Sequence, residues 1–257
     1  MELLKDLLEK TDIKDLDKEG INLRFQEIAE TLMGNYIIKK GEKKKYAIVE
    51  IEFYLYTPSH QDFITYPRDL EAGRWFFHKS GVDITFKSQD VEVTIKDKKE
   101  IYNAKNGILG GILIRGLYDL TPKDQESKKE DRYIFGPLKC VDLLWDNFDA
   151  FQNSKEEYPV LTSFSEGISL DNMVKCKRCI NIEENHEIKV VEWAERLGFN
   201  KDDNIEEKKI YCKKLFDQDI HEYHYRFFNL ITGHNPQTFT KIQPPAARPL
   251  KIFPVKK

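Results

Sequence analysis

The chain has 257 residues, of which 40% are hydrophobic and 33% are charged. This size and apolar content are enough to bury a core, and they predict one large domain or one domain with appendages. The 41 basic and 44 acidic residues give a net charge of -3. This balance does not indicate a nucleic-acid binder, because phosphate affinity comes mainly from lysine and arginine. No apolar run approaches the roughly 18 residues that a membrane span needs, and the first residues mix leucine with charged residues, unlike a secretory signal.

The four cysteines are few and irregularly spaced. This favours a reducing compartment over a disulfide scaffold, so we expect a cytoplasmic protein that does not bind membranes. Cys176 and Cys179 have the spacing of a zinc knuckle, but no second ligand pair follows at a suitable distance. His221 and His224 lack the spacing of a metalloprotease helix. We therefore expect no metal and no cofactor.

Two helices are predicted at the N-terminus, because leucine and isoleucine recur at helical spacing, and the second ends near Gly34. Runs of β-branched and aromatic residues then predict strands at residues 36–38, 47–56, 82–86, 91–95 and 108–117, with residues 96–107 as the connection between the last two. Five lysines surround Gly41, and they form either a basic patch or, as the alternative, a solvated hairpin turn. They are Lys39, Lys40, Lys43, Lys44 and Lys45.

The second half of the chain has weaker signals. Residues 121–132 are charged and contain a proline, which predicts an exposed loop. Helices are predicted over residues 141–151, 189–197 and 204–216. The last residues, 236–257, contain five prolines and predict an extended tail, which leaves residues 1–235 as the domain.

The strand predicted at residues 47–56 carries the most informative pattern. Side chains alternate along a strand, so two different faces are expected. The hydrophobic face is predicted to contain Val49, Ile51, Phe53 and Leu55. The opposite face is predicted to contain Glu50, Glu52, Tyr54 and Tyr56. An acidic and aromatic face indicates a functional site; the alternative is a half-buried strand whose polar face meets water.

Several short motifs follow one another around this strand. They are Leu32-Met33-Gly34-Asn35-Tyr36-Ile37, Ile48-Val49-Glu50-Ile51-Glu52-Phe53-Tyr54, His60, Pro67-Arg68, Phe77-His78-Lys79-Ser80-Gly81-Val82-Asp83-Ile84-Thr85-Phe86, Gly110-Gly111-Ile112-Leu113-Ile114-Arg115-Gly116-Leu117 and, near the end, Tyr225-Arg226-Phe227-Phe228. Their order and rough intervals, over residues 27–118, resemble those of the alkyladenine (3-methyladenine) DNA glycosylase family. The resemblance implies an α+β fold, a single domain with a central, curved, mainly antiparallel β-sheet flanked by helices.

The resemblance also implies a reaction. In that family a glutamate at the position of Glu52 activates the water that attacks the sugar carbon of a flipped-out nucleotide, and an arginine at the position of Arg115 helps to hold this water. Breaking an N-glycosidic bond builds positive charge on the sugar, so a fixed carboxylate both stabilises that charge and accepts the proton of the water. The alternative for Arg115 is an ion pair with Glu50 or Glu52 that is purely structural.

A nucleobase pocket is implied as well. Tyr54 matches the family tyrosine that stacks on the extruded base, and Phe86 falls where the family has a second stacking aromatic residue. The alternative for Phe86 is that it fills the core. His60 is proposed as a third wall or a base-edge hydrogen-bond partner, although it comes earlier than the family spacing. Glu50 and Arg68, which belong to matching motifs, complete the predicted substrate-binding residues.

The chain departs from the family where duplex DNA would be gripped. Gln89 stands in the place of a tyrosine that wedges into the duplex, and residues 87–108 are polar where the family is rich in aromatic residues. Tyr102 could replace the wedge if the loop is rearranged. The departures and the acidic net charge argue against duplex binding but leave the pocket chemistry in place.

Two functions remain as hypotheses. The first is a DNA glycosylase-like N-glycosidic hydrolase that acts on a modified purine base or on a small nucleoside-like substrate. The second is a non-catalytic module of the same fold that binds a nucleobase or a protein partner. The first partner to test is a nucleic acid or a nucleoside-like ligand, and neither hypothesis fixes the oligomeric state.

Overall fold

The computed structural model describes residues 2–121, 129–146, 157–178, 186–200, 203, 206–210, 225–231 and 253–254. These residues form an α+β fold with a mainly antiparallel, multi-stranded sheet and few helices. The predicted α+β class is therefore confirmed.

The helices of the described residues lie mainly before and after the central strands. The named ones are α1 (Glu2–Glu9), α2 (Lys18–Asn35), α3 (Pro137–Leu144) and α4 (His186–Arg196), with 3-10 turns at Thr11–Asp15 and Lys129–Arg132; residues 206–210 are helical as well. The two predicted N-terminal helices are thus confirmed. Helix α2 begins where the Asp17 side chain accepts a hydrogen bond from the backbone N–H of Gly20 at 2.8 Å, which satisfies a free donor of the first turn. Among the described helices, none combines the length and the apolar character needed to cross a lipid bilayer.

Thirteen strands are present in the described residues. They are β1 (Tyr36–Lys40), β2 (Lys44–Thr57), β3 (His60–Gln61), β4 (Trp75–His78), β5 (Gly81–Thr85), β6 (Glu92–Lys96), β7 (Lys99–Asn103), β8 (Leu109–Asp119), β9 (Tyr133–Phe135), β10 (Val160–Ser163), β11 (Met173–Cys176), β12 (Arg226–Asn229) and β13 (Phe253–Pro254). The main sheet has the order β13-β11-β12-β2-β8-β5-β4. Strand β2 lies at its centre, because it pairs with β8 along one edge and with β1 and then β12 along the other.

Strands β6 and β7 form a separate hairpin, which corrects the prediction that residues 96–107 only connect two strands. Asp97 and Lys98 have φ angles of 52° and 62°. Two successive residues in the left-handed region form the two-residue turn that matches the twist of a hairpin. The chain therefore reverses at once, and β6 pairs with β7 instead of with β8.

The lysine-rich turn between β1 and β2 is the predicted hairpin, with Gly41 at a φ of 62°. Lys40 differs from the predicted solvated lysines because it is buried and forms an ion pair with Asp146. Its Nζ atom also donates to the backbone carbonyl of Asp146 at 3.1 Å. The buried ammonium is thus compensated, and it does not contribute to a basic patch.

The predictions for the second half are only partly covered by the described residues. Helix α3 begins and ends earlier than the helix predicted at 141–151, whose residues 147–151 lie outside them. Helix α4 confirms the helix predicted at 189–197, and residues 206–210 are helical within the range 204–216. Residues 122–128 of the predicted loop and 211–216 of the last helix lie outside the described residues. Of the tail at 236–257, β13 alone is described, and it pairs with β11.

The two faces of β2 are both buried. Ile51, Phe53 and Leu55 pack in the main apolar core, where the Phe53 ring stacks on Phe25 of α2 with centroids 4.3 Å apart. Tyr56, on the opposite face, belongs to a cluster that includes residues of α4. The alternative prediction, a strand with one face open to water, is therefore wrong for this part of β2.

Val49 does not share the face of Ile51, which corrects the predicted alternation. It packs in a separate apolar cluster with Phe228 of β12, and Ile48 takes its place in the main core. The cause is an irregularity in the β2–β8 pairing, where Glu50 pairs with Gly116. An extra residue in one strand shifts the in-and-out alternation of its side chains by one position. Residues before and after Glu50 therefore follow opposite alternation patterns.

Candidate functional site

Three neighbouring strands bring charged side chains together around the middle of β2. Glu50 and Glu52 lie on β2, Arg115 on β8 and Arg226 on β12. Arg226 is directly opposite Glu52 in the β2–β12 register. The cross-strand positions thus place one arginine on either side of the two carboxylates.

Glu50 is bound by both arginines. Its Oε1 accepts a hydrogen bond from Arg115 Nε at 2.9 Å and lies 2.6 Å from Arg226 Nη2. The Glu50 side chain is 3% exposed and that of Arg226 is 1% exposed, so this contact is made away from water. A buried carboxylate needs such partners, since an unpaired charge in the interior is strongly unfavourable.

Glu52 shares Arg115 with Glu50. Its Oε2 accepts from Arg115 Nη1 at 3.3 Å and from the Tyr54 hydroxyl at 2.8 Å. Burial, together with the charge of Glu52, raises the pKa of Tyr54 well above its ordinary value. Tyr54 therefore stays protonated and donates to Glu52, which is itself fully buried.

A second buried ion pair lies against Tyr54. Arg178 donates to both oxygens of Asp62, at 2.6 and 3.2 Å, and to the backbone carbonyl of Phe53 at 3.1 Å. Its guanidinium carbon lies 4.5 Å from the centroid of the Tyr54 ring. Both charged side chains of this pair are 0% exposed. The paired fork of two hydrogen bonds is the geometry in which a buried ion pair is best compensated.

We call this assembly the β2 ion cluster. Its members are Glu50, Glu52, Tyr54, Asp62, Arg115, Arg178 and Arg226. Three carboxylates face three guanidinium groups, so the cluster is formally neutral. Chemically, the cluster holds the Glu52 carboxylate in a fixed position beside the N–H donors of Arg115 and the hydroxyl of Tyr54.

Four of the predicted site residues meet in this cluster: Glu50, Glu52, Tyr54 and Arg115. His60 lies beside it, on β3, where its ring is 5.5 Å from the ring of Tyr225. Tyr225 in turn lies 5.7 Å from the Arg178 guanidinium. His60 is therefore a neighbour of the cluster through Tyr225.

Phe86 lies apart from the cluster, in the main apolar core. It is 3% exposed, and its ring stacks with Phe25 at 6.2 Å and with Phe53 at 6.4 Å. Phe53 points to the face of β2 opposite Glu52. The arrangement matches the alternative prediction for Phe86, a core-filling side chain.

Arg68 belongs to a separate buried pair with Asp83 of β5. Arg68 Nη1 donates to Asp83 Oδ2 at 2.8 Å, and His78 Nε2 lies 3.0 Å from Asp83 Oδ1. The Ser80 N–H donates to His78 Nδ1 at 3.2 Å, so Nε2 carries the proton that His78 donates to Asp83. Burial opposes ionisation of Asp83, but Arg68 and His78 outweigh it and hold the pKa of Asp83 below its ordinary value.

Glycines in β8 make room for both arginine-rich groups. A Cβ atom on Gly111 would lie 2.5 Å from Arg68 Nη1, so Arg68 fits because this position has no side chain. A Cβ atom on Gly116 would lie 2.8 Å from the Cβ of Glu50. Both distances are below ordinary van der Waals contact.

The residues considered as a DNA wedge lie at the β6–β7 hairpin. Gln89 forms an isolated bridge with Ile108 at the base of the hairpin and lines a polar cavity of about 430 Å³. Tyr102 lies on β7, and its hydroxyl donates to Glu100 at 2.7 Å. The lining of the cavity contains none of the residues of the β2 ion cluster.

Sequence reasoning missed three members of the cluster. Arg178 lies between Cys176 and Cys179, which were considered as zinc ligands, and Asp62 lies two residues after His60. Arg226 was part of a matching motif but was given no role. No signal in the sequence pairs β12 with β2, so the position of Arg226 opposite Glu52 is visible only in the structure. Within the described ranges, no group of three or more metal-binding side chains occurs.

Comparisons with known proteins leave the family open. No family model matches the chain, and no solved structure matches it. The chain is similar to the uncharacterized protein L759 of Acanthamoeba polyphaga mimivirus, with 27% identity over 179 residues that cover 64% of this chain and 71% of the relative.

Proposed function

We propose that the chain is a DNA glycosylase-like N-glycosidic hydrolase that acts on a modified purine base and uses Glu52 as the base. The observation that carries this proposal is the shared arginine: Arg115 binds Glu50 through Nε and Glu52 through Nη1. The finer fold assignment, a sheet of the alkyladenine DNA glycosylase type, is part of the same proposal. It is supported by the order of the motifs around β2 and β8.

The two carboxylates have different surroundings, which supports different roles. Glu50 receives Arg115 and Arg226 on one oxygen, so its charge is matched by two cations and it fixes the position of Arg115. Glu52 accepts hydrogen bonds from Arg115 and from the neutral hydroxyl of Tyr54. We propose Glu52 as the carboxylate that stabilises the cationic sugar and accepts a proton from water, as the family resemblance implies.

The Arg115 side chain is partly exposed to solvent. Its side chain is 16% exposed, whereas those of Glu50 and Glu52 are 3% and 0% exposed. An arginine that is held by two buried carboxylates and still reaches solvent is suited to position a water molecule beside Glu52. We propose this role for Arg115, in line with the family resemblance.

The proposed partner is a nucleic acid or a nucleoside-like ligand. Extrusion of a base costs a few kcal/mol, which stacking on Tyr54 and polar contacts in the cluster would have to offset. With a net charge of -3, the chain has no overall attraction for phosphates, so single strands and small nucleosides belong in the first tests beside duplex DNA.

A second candidate function is a non-catalytic module that binds a nucleobase or a protein partner. The observation that favours it is that the cluster offers a substrate little access: Glu52 is fully buried, and Arg178 covers one face of the Tyr54 ring. Such a module would bind ligand without turnover, and its binding would not depend on the charge of Glu52.

Single-turnover base release separates the two functions. Oligonucleotides that carry hypoxanthine, ethenoadenine or an alkylated purine are tested as single and double strands with wild type, Glu52→Gln and the exposed control Glu166→Gln. The hydrolase proposal expects release by wild type and the control, and none by Glu52→Gln. Binding without release by any of the three proteins would favour the module.

A further inference from the structure

One face of the Tyr54 ring is already occupied by a planar side chain. The flat guanidinium of Arg178 lies over the ring, with its carbon 4.5 Å from the centroid. A guanidinium and a nucleobase are both planar groups that stack on aromatic faces, so they compete for the same surface.

Arg178 is held in this place by contacts that a ligand cannot share. Asp62 accepts two hydrogen bonds from it, and the carbonyl of Phe53 accepts a third. Asp62 and Arg178 are both completely enclosed. To expose the Tyr54 face, the Arg178 side chain must leave Asp62, and a buried carboxylate would then lose a cationic partner.

We propose that Arg178 and Asp62 form an internal latch that closes the nucleobase site on Tyr54. This inference rests on the proposed function, because it takes Tyr54 as the stacking residue. Ligand binding then requires a minor open state in which the Arg178 side chain has swung away. The apparent affinity is reduced by the fraction of molecules in that open state.

In the closed state Arg178 and Asp62 balance each other's charge. With Arg178 on Asp62, the remaining pair of carboxylates faces Arg115 and Arg226. When Arg178 leaves, the surroundings of Tyr54 gain negative charge from Asp62. The open site therefore favours a ligand with a hydrogen-bond donor or a positive charge on its edge over one with only acceptors.

The test is the binding of ethenoadenosine, followed by its fluorescence, to a latch-free protein. The double variant Asp62→Asn with Arg178→Gln replaces the ion pair by two neutral amides, and the glutamine side chain is too short to form the arginine fork. We expect it to bind about tenfold or more tightly than wild type. The control, Lys40→Gln with Asp146→Asn, removes a different ion pair, in which Lys40 is buried and Asp146 is partly exposed, and it should bind like wild type.

Equal or weaker binding by the latch-free variant, or no binding by either protein, would overturn the latch. If circular dichroism shows that the double variant does not fold, Arg178→Lys replaces it. Lysine keeps the charge beside Asp62 but lacks the planar fork, so binding about threefold tighter than wild type is expected, and no change would contradict the proposal.

Base release on the same proteins tells the two proposals apart. Tighter binding by the latch-free variant without release by any protein contradicts the hydrolase and leaves the latch standing. Release by wild type, together with unchanged binding by the latch-free variant, contradicts the latch alone.

Discussion

Glu50 pairs with Gly116 across β2 and β8, and the missing side chain of Gly116 leaves the space that the Glu50 side chain passes through. A Cβ atom at Gly116 would lie 2.8 Å from the Cβ of Glu50 and 2.9 Å from a ring atom of Phe135. The irregular register at Glu50 therefore depends on a glycine at position 116. This register also sets the position of Arg115, because Arg115 donates a hydrogen bond to Glu50.

Gly116→Ala is expected to destabilise the fold and to reduce base release. Forcing a methyl group into this space should cost about 1–3 kcal/mol and should displace the carboxylate that holds Arg115. Gly111→Ala is the matched comparison, because its Cβ atom would meet Arg68 and Asp83 instead. Urea unfolding should show a loss for both variants, whereas base release at a temperature where both are folded should fall for Gly116→Ala alone. Equal release by the two variants would argue against a role of Glu50 in positioning Arg115.

Tyr54→Phe tests the hydroxyl that donates to Glu52. A hydrogen bond to a charged group contributes about 1.5–3 kcal/mol, so the single-turnover rate should fall roughly 10- to 100-fold. Ethenoadenosine binding should change little, since the stacking ring is kept. Tyr102→Phe removes the same kind of contact, a hydroxyl that donates to a glutamate two residues away, from the exposed hairpin. Its rate should equal that of wild type, and an equal loss in both variants would show that the Tyr54 hydroxyl has no special role.

Asp83→Asn tests the buried Arg68–Asp83 pair through its pH dependence. The folded-state pKa of Asp83 is lowered from 3.8, so its contribution to stability is complete above that pH and is lost as the pH falls through the lower folded value. Asp83→Asn should therefore lose about 3–5 kcal/mol at pH 6 and should show a smaller further loss below pH 4 than wild type.

The control for this prediction is Asp12→Asn, which removes an exposed carboxylate paired with Arg24 at 3.1 Å. Exposed ion pairs contribute at most about 1 kcal/mol, so its unfolding free energy at pH 6 should stay close to that of wild type. Denaturant unfolding between pH 3 and pH 6 provides all three curves. Wild type and Asp83→Asn losing stability in parallel below pH 4 would contradict the assignment.

The order of the elements around the site could be predicted from the sequence, because it depends on local patterns. The apolar and acidic alternation of β2 and the β-branched runs before and after it identify the strands. They also bring Glu50, Glu52 and Tyr54 to one strand. The position of Arg115 on the next strand followed from the same kind of pattern.

The errors arose where long-range pairing decides the outcome. The irregularity at Glu50 moved Val49 into another cluster, and nothing local to β2 signals it. The turn at Asp97 and Lys98 needs two residues in the left-handed region, for which an Asp-Lys pair is not the usual signal. The Asp62–Arg178 pair joins residues 116 positions apart in the chain, so only the folded structure brings it to Tyr54.

The measurement that tests the central claim most directly compares Glu50→Gln with Glu52→Gln in single-turnover base release. Both variants remove one buried carboxylate from Arg115, and Glu50→Gln also removes a carboxylate from Arg226, so release is compared at a temperature where both variants are folded. If Glu52 is the base and Glu50 only holds Arg115, Glu52→Gln should abolish release, and Glu50→Gln should retain a measurable part of it. Full release by Glu52→Gln, or an equal loss in both variants, would contradict the assignment of Glu52 as the base.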